Sequence, residues 1–177
     1  MKNLKIKHLI YIIFLGMTIS IIGNMAIDFF SLKTIFPINN TFTNSIYKMP
    51  MWKGVAIVGI FYPFFEELIF RGIIYKAIRK YINIIFSIII TSLLFAFIHF
   101  NIAQGLYAFF ASVIFCIIIE KYKSFIIPFV CHLSANITTL LFYRDIEKLL
   151  FKDKIFLFTI VLILFILILF RINKKEV

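Results

Sequence analysis

The chain has 177 residues, 63% of them hydrophobic and only 15% charged, where an ordinary soluble domain has about 25% charged. That composition excludes a soluble globular enzyme and leaves a single integral membrane domain over residues 1–177. A formal net charge of +11 would suggest nucleic acid in a soluble protein, but the basic residues sit between apolar runs, where they set topology and meet anionic head groups, so no nucleic-acid partner is expected.

The first predicted element is an uncleaved membrane helix over roughly Leu9 to Phe30, behind the basic start Lys2, Lys5 and Lys7. No small-residue cleavage signal closes it. Ser31 to Lys53, with Pro37, Asn39, Asn40 and Pro50, reads as a loop. A second helix begins near Gly54, and Pro63 inside it is expected to remove a backbone bond and kink it. Past Arg71, the residues Lys76, Arg79 and Lys80 alternate with Ile73, Ile74, Ala77 and Ile78, as in an amphipathic extension at the membrane surface. Tyr81 to Ile119 carries no formal charge and is long enough for two helices, split near Asn101 to Gly105. Glu120, Lys121 and Lys123 read as a polar turn, Phe125 to Tyr143 as the next helix, Arg144 to Lys154 as a charged loop, and Ile155 to Phe170 as a plain apolar anchor.

The expected fold class is therefore an all-α, polytopic membrane helix bundle of about six transmembrane helices. Twelve basic residues fall on the amino-terminal side of such a bundle and seven on the other. The positive-inside rule then gives a multi-pass protein of the cell membrane with both termini cytoplasmic. Cys116 and Cys131 form no C-x-x-C pair and read as small buried hydrophobes.

Glu66 and Glu67 sit side by side in an otherwise apolar stretch from Ile57 to Phe70. An ionisable group at bilayer depth costs about 2.5 kcal/mol or more, so such groups face a bundle interior or wet cavity and mark function. Arg71 follows Glu67 at i+4, the favoured orientation for a helix ion pair, and can neutralise it, which leaves Glu66 free. His132 and Asn136 are also i and i+4 and share one helix face. If the chain reverses near Tyr81 to Asn83, Glu66 lies sixteen residues before Ile82 and His99 seventeen after it, so an antiparallel hairpin brings them to one level.

A carboxylate facing a histidine, with a second histidine and a carboxamide on a third helix, suffices for hydrolysis. Glu66 can take a proton from water, His99 can hold that water or shuttle the proton, and His132 with Asn136 can donate to a developing oxyanion, where each donor is worth about 2.7–4 kcal/mol. The bland readings are helix–helix hydrogen bonds of about 0.6–2 kcal/mol for the histidines and Asn136, a cap for Asn101, and an Arg71 that snorkels to the surface. Six buried polar groups on three helices are costly as architecture alone.

Three motifs stand in order on apolar helices: Glu66-Glu67-Leu68-Ile69-Phe70-Arg71-Gly72 fits E-E-x-x-x-R, Phe95 to His99 fits F-x-x-x-H, and His132 to Asn136 fits H-x-x-x-N. Over roughly Phe61 to Leu140 the chain resembles the CPBP family of intramembrane proteases, also called the Abi or C-a-a-X amino-terminal protease family. The resemblance implies an endopeptidase acting on a peptide or membrane-tethered protein. Eukaryotic members trim prenylated C-a-a-X proteins, and bacterial members are linked to peptide processing and bacteriocin self-immunity. The expected catalytic set is Glu66, Glu67, His99, His132 and Asn136, with Arg71 in support. By motif position Glu66 looks like the base, His99 its partner, and His132 with Asn136 the oxyanion pair.

The resemblance leaves the cofactor open. Glu66, His99 and His132 could ligate Zn²⁺, but no H-E-x-x-H is present, and a metal-free site is the favoured expectation. No G-x-S-G serine or G-x-G-D aspartate is present. Two other classes remain: a non-proteolytic immunity or binding protein using the same cavity, and an ion or proton transporter, which the lack of an inverted repeat disfavours.

Overall fold

The computed structural model describes residues 6–36 and 48–173. Lys2, Lys5, the loop residues Pro37, Asn39 and Asn40, and the tail residues Lys174 and Lys175 lie outside the described residues. The rest is helical with no strand among the described residues, as the composition requires: in hydrocarbon a backbone polar group must be satisfied within its own segment. Among the described residues, six long helical segments follow one another. They are α1 (Ile6–Phe29), α2 (residues 51–79), α3 (Ile84–Phe97), α4 (Ile102–Tyr122), α5 (Ile126–Glu147) and α6 (Phe151–Asn173). A single helical turn, Leu32–Ile35, follows α1.

Several boundaries differ from the sequence reading. The expected polar turn at Glu120 is helical, because α4 runs on to Tyr122 and ends where Lys123 adopts a left-handed conformation (φ 54°). The expected charged loop is mostly helix as well, since α5 reaches Glu147 and α6 starts at Phe151. The stretch read as an amphipathic surface extension is the last part of α2. It is tied to α4, where Tyr75 Oη and Arg79 Nε donate to Glu120 Oε1 at 2.8 and 3.1 Å. Asparagines start two helices: Asn83 Oδ1 accepts from the Phe86 N–H and Asn101 Oδ1 from the Gln104 N–H, both at 3.0 Å, which are ordinary N-caps.

Pro63 does not break α2. The helix instead widens into π-helical stretches on either side, Val55–Phe61 and Leu68–Ile74, with Tyr62–Glu67 between them. A proline ring clashes with the carbonyl four residues back, and a wider turn relieves that clash without ending the helix. Such π-turns recur at functional sites, and here they bracket the adjacent glutamates.

The main core forms where Ile12, Leu15 and Ile19 of α1 meet Phe115 and Ile118 of α4, Cys131 of α5 and Ile172 of α6. Polar bonds join α1 to α5 as well: Ser20 Oγ lies 2.7 Å from Thr139 Oγ1, and Ser134 Oγ donates to the Ile13 carbonyl at 3.0 Å. The outer surface is apolar, with Ile85, Phe110, Phe156 and Phe170 each more than 60% exposed. That is the inverse of a soluble protein and suits a lipid solvent. Helices α1, α4 and α6 are long and apolar enough to cross a membrane. By contrast α3 has 14 residues, about 21 Å at 1.5 Å per residue, short of a hydrocarbon layer of about 30 Å.

Close approach of α1 and α5 depends on Gly16, where a Cβ would collide with Ser134 Oγ and the Cys131 carbonyl. Gly16→Val is expected to destabilise the protein by about 1–3 kcal/mol through overpacking, seen as a lower Tm in detergent micelles. At Gly54 the nearest atom to an added Cβ is Leu140 Cδ2 at 3.9 Å, so Gly54→Ala is expected to leave Tm unchanged or raised. Equal losses for the two variants would contradict this account.

Candidate active site

Glu67 and Arg71, one turn apart on α2, are both fully buried. Neither charge is tolerable alone in an apolar interior, so each must be paired and hydrogen-bonded. Arg71 Nη1 donates to Glu67 Oε1 at 2.9 Å. Nη2 donates to the Ser112 carbonyl at 3.2 Å and to Ser112 Oγ at 2.5 Å. The rings of Phe95 and Phe115 lie 4.6 and 5.2 Å from its central carbon, within range for cation–π attraction. Arg71 therefore does not snorkel. It joins α2 to α3 and α4.

His132 of α5 completes the group. Its Nδ1 lies 2.9 Å from Glu67 Oε1. A carboxylate paired with arginine can only accept, so Nδ1 carries the proton and donates. Nε2 then faces Glu66 Oε2 at 3.6 Å. The imidazole stacks on Phe115 at 5.0 Å and 28° and meets Phe95 edge-on at 5.9 Å. Pairing with Arg71 thus explains only half of Glu67, which also orients a histidine 65 residues away. The two glutamates are unequal in exposure: the Glu66 side chain is 27% exposed and that of Glu67 is 0% exposed. Of the pair, only Glu66 presents side-chain surface outside the protein interior.

The expected hairpin register holds where it can be measured. Phe70 and Phe95 lie almost equally far from Ile82, and their rings meet at 5.0 Å. Glu66 is one turn further along α2, but His99 lies past the end of α3, in the turn that follows Phe97, and not on the helix as its motif suggested. Even so, the ring that faces Glu66 at 3.6 Å is that of His132. His99 instead donates from Nδ1 to the Phe95 carbonyl at 2.9 Å and packs against the Phe95 ring at 5.1 Å. That bond leaves Nε2 as its acceptor. Asn136 shares the face of α5 with His132, as its spacing predicts, and its Nδ2 donates to the Val58 carbonyl of α2 at 2.9 Å.

The residues that the sequence reading did not find are Ser112, Phe115 and the Val58 carbonyl. Ser112 is a polar residue in an otherwise apolar helix, which is a weak signal. Phe115 is one of 24 phenylalanines and carries none. Among the described residues, no group of three or more His, Cys, Asp or Glu side chains converges as metal ligands would. The proposed set of Glu66, His99 and His132 is not gathered in that way, and His132 Nδ1 is already engaged by Glu67.

Residues 48–138, just over half of the chain, match the family described as type II CAAX prenyl endopeptidase Rce1-like. The matched segment contains all three motifs and leaves out α1 and α6. No curated protein and no solved structure matches the chain.

Removing one partner of a buried ion pair strands the other and costs about 3–5 kcal/mol. Arg71→Met is therefore expected to lower stability by about that amount. Arg71→Met combined with Glu67→Gln should recover part of the loss, because no uncompensated charge is left. Thermal unfolding of the parent protein and these two variants in detergent micelles checks this, and a double variant no more stable than Arg71→Met would contradict it.

Proposed function

Since the chain belongs to the Rce1-like family of type II CAAX prenyl endopeptidases, we propose that it hydrolyses a peptide bond of a membrane-associated peptide or protein with water activated by Glu66. Membership supports CAAX-protease-like intramembrane endopeptidase activity in general; the assignment of individual roles is our reading. One observation carries it: the partly exposed carboxylate of Glu66 lies 3.6 Å from His132 Nε2, while buried Glu67 bonds the other nitrogen of that ring.

Glu66 accepts a proton from water as the water attacks the scissile carbonyl. The developing oxyanion needs donors that are already oriented. In this reading they are His132, through Nε2, and Asn136. Glu67 then acts as the carboxylate of a serine-protease triad does, fixing the tautomer of the imidazole and stabilising its cation. Because Glu67 is fully buried, it positions His132 and does not touch substrate. His99, with Nε2 as acceptor, is assigned to hold the attacking water, and Arg71 holds the Glu67 carboxylate in place through its Nη1–H. Proton transfer from Glu66 to the departing amine completes the cycle, and every step uses groups of the chain itself.

The proposal puts the protein in the cell membrane with both termini in the cytoplasm, on the excess of basic residues on that side. Bacterial peptide processing or bacteriocin self-immunity is the setting we propose for the activity.

Glu66→Gln is expected to remove cleavage of a membrane-tethered peptide while leaving Tm and membrane level unchanged, since the side chain is half-buried and of equal size. A protective phenotype that survived this change would show that immunity works through binding and not proteolysis. Cleavage is expected to persist after exhaustive chelation of the purified protein. Loss of activity that returns with Zn²⁺ would instead make a metal part of the mechanism.

A further inference from the structure

Pro63 is the one proline within α2, and the carbonyl it leaves open is the one that Asn136 binds. In the π-helical stretch Val55–Phe61 each N–H reaches back five residues, and the Tyr62 N–H accordingly bonds the Ile57 carbonyl. The next donor in that ladder would be the N–H of residue 63, aimed at Val58. Proline has none. Neither position 62 nor position 63 therefore satisfies the Val58 carbonyl, and an unpaired carbonyl inside a membrane bundle is strongly disfavoured. Its donor comes from another helix, 78 residues away, as the Nδ2 of Asn136 at 2.9 Å. Pro63 is fully buried. The helices approach closely here, for a Cβ on Gly59 would stand 3.0 Å from Ile137, the neighbour of Asn136.

The chemistry of a carboxamide makes this bond directional. Only its NH₂ end can donate to a carbonyl, so the acceptor decides which end faces α2. One N–H of Nδ2 is taken by Val58, which fixes the amide plane and leaves the second N–H for another acceptor. We propose that Pro63 is a positioning residue: by withholding a backbone N–H it turns the Val58 carbonyl into the acceptor that orients Asn136 for oxyanion binding. This inference rests on the oxyanion role of Asn136 proposed above, so its test keeps the two apart.

The experiment is a double-mutant cycle on the full chain in detergent micelles. Asn136→Ala should lower Tm by about 2–4 °C with Pro63 present, because it orphans the Val58 carbonyl. In the Pro63→Ala background, where an N–H competes for that carbonyl, the shift should fall to less than half. This measurement needs no substrate. The kinetic arm uses an internally quenched, farnesylated C-a-a-X peptide as probe. Pro63→Ala should lower kcat about 10- to 100-fold with KM unchanged. Replacing Pro63 by lactic acid, which has neither ring nor N–H, should restore it.

Equal Tm shifts in the two backgrounds would overturn the coupling. Unchanged kcat in Pro63→Ala, beside lost activity in Asn136→Ala, would overturn the positioning role alone. Full activity in Asn136→Ala with the Tm coupling intact would overturn the oxyanion reading and leave the Pro63–Asn136 link standing.

Discussion

The Glu67–Arg71 ion pair is the constraint on which the site depends. A carboxylate and a guanidinium with no exposure must find all their partners inside the protein. The search for those partners draws in Ser112 and Phe115 from α4, Phe95 from α3 and His132 from α5. Four helices are thereby brought to one point, and the ring placed beside Glu66 is held by the same bonds that neutralise Glu67. Two chemically identical neighbours end in opposite environments. One is fully buried and doubly bonded. The other is half-buried and faces an oriented imidazole.

The lipid solvent explains why polar contacts carry so much of the architecture. Hydrocarbon gives helices little hydrophobic reason to associate, so close packing of small residues and interhelical hydrogen bonds take over. Gly16 lets α1 meet α5, and Gly105 lets α4 approach the Ala96 carbonyl of α3, where an added Cβ would stand at 3.2 Å. The Ser20–Thr139 and Ser134–Ile13 bonds serve the same end. The π-helical widening of α2 belongs to the same economy of backbone bonds. It accommodates Pro63 without breaking the helix, and the carbonyl thus left over is answered by a side chain from α5.

Much of this was legible in the residues. Apolar runs separated by charges marked the helices, and the hairpin register around Ile82 was readable because antiparallel helices keep equidistant residues level, as Phe70 and Phe95 do. The i,i+4 pairs Glu67–Arg71 and His132–Asn136 followed from helical geometry alone, which holds in any tertiary setting. Helix ends were read less well. Charges near Glu120 and Arg144 suggested loops, yet a helix that leaves the hydrocarbon continues where an ion pair such as Glu120–Arg79 supports it.

The sequence by itself determined the class of protein, the polar residues that needed a reason, and which of them share a helix face. These are properties of composition and of a fixed 3.6-residue period. Only the tertiary structure decided which histidine faces Glu66. The rotation of α5 against α2 sets that choice, and it depends on Gly16, Ser112 and Phe115, residues that lie far apart in the chain and are ordinary in composition. It likewise decided that Glu67 orients His132 in addition to balancing Arg71, because a buried carboxylate oxygen accepts from whatever donor packing brings to it, and no spacing along one helix reveals a donor on another.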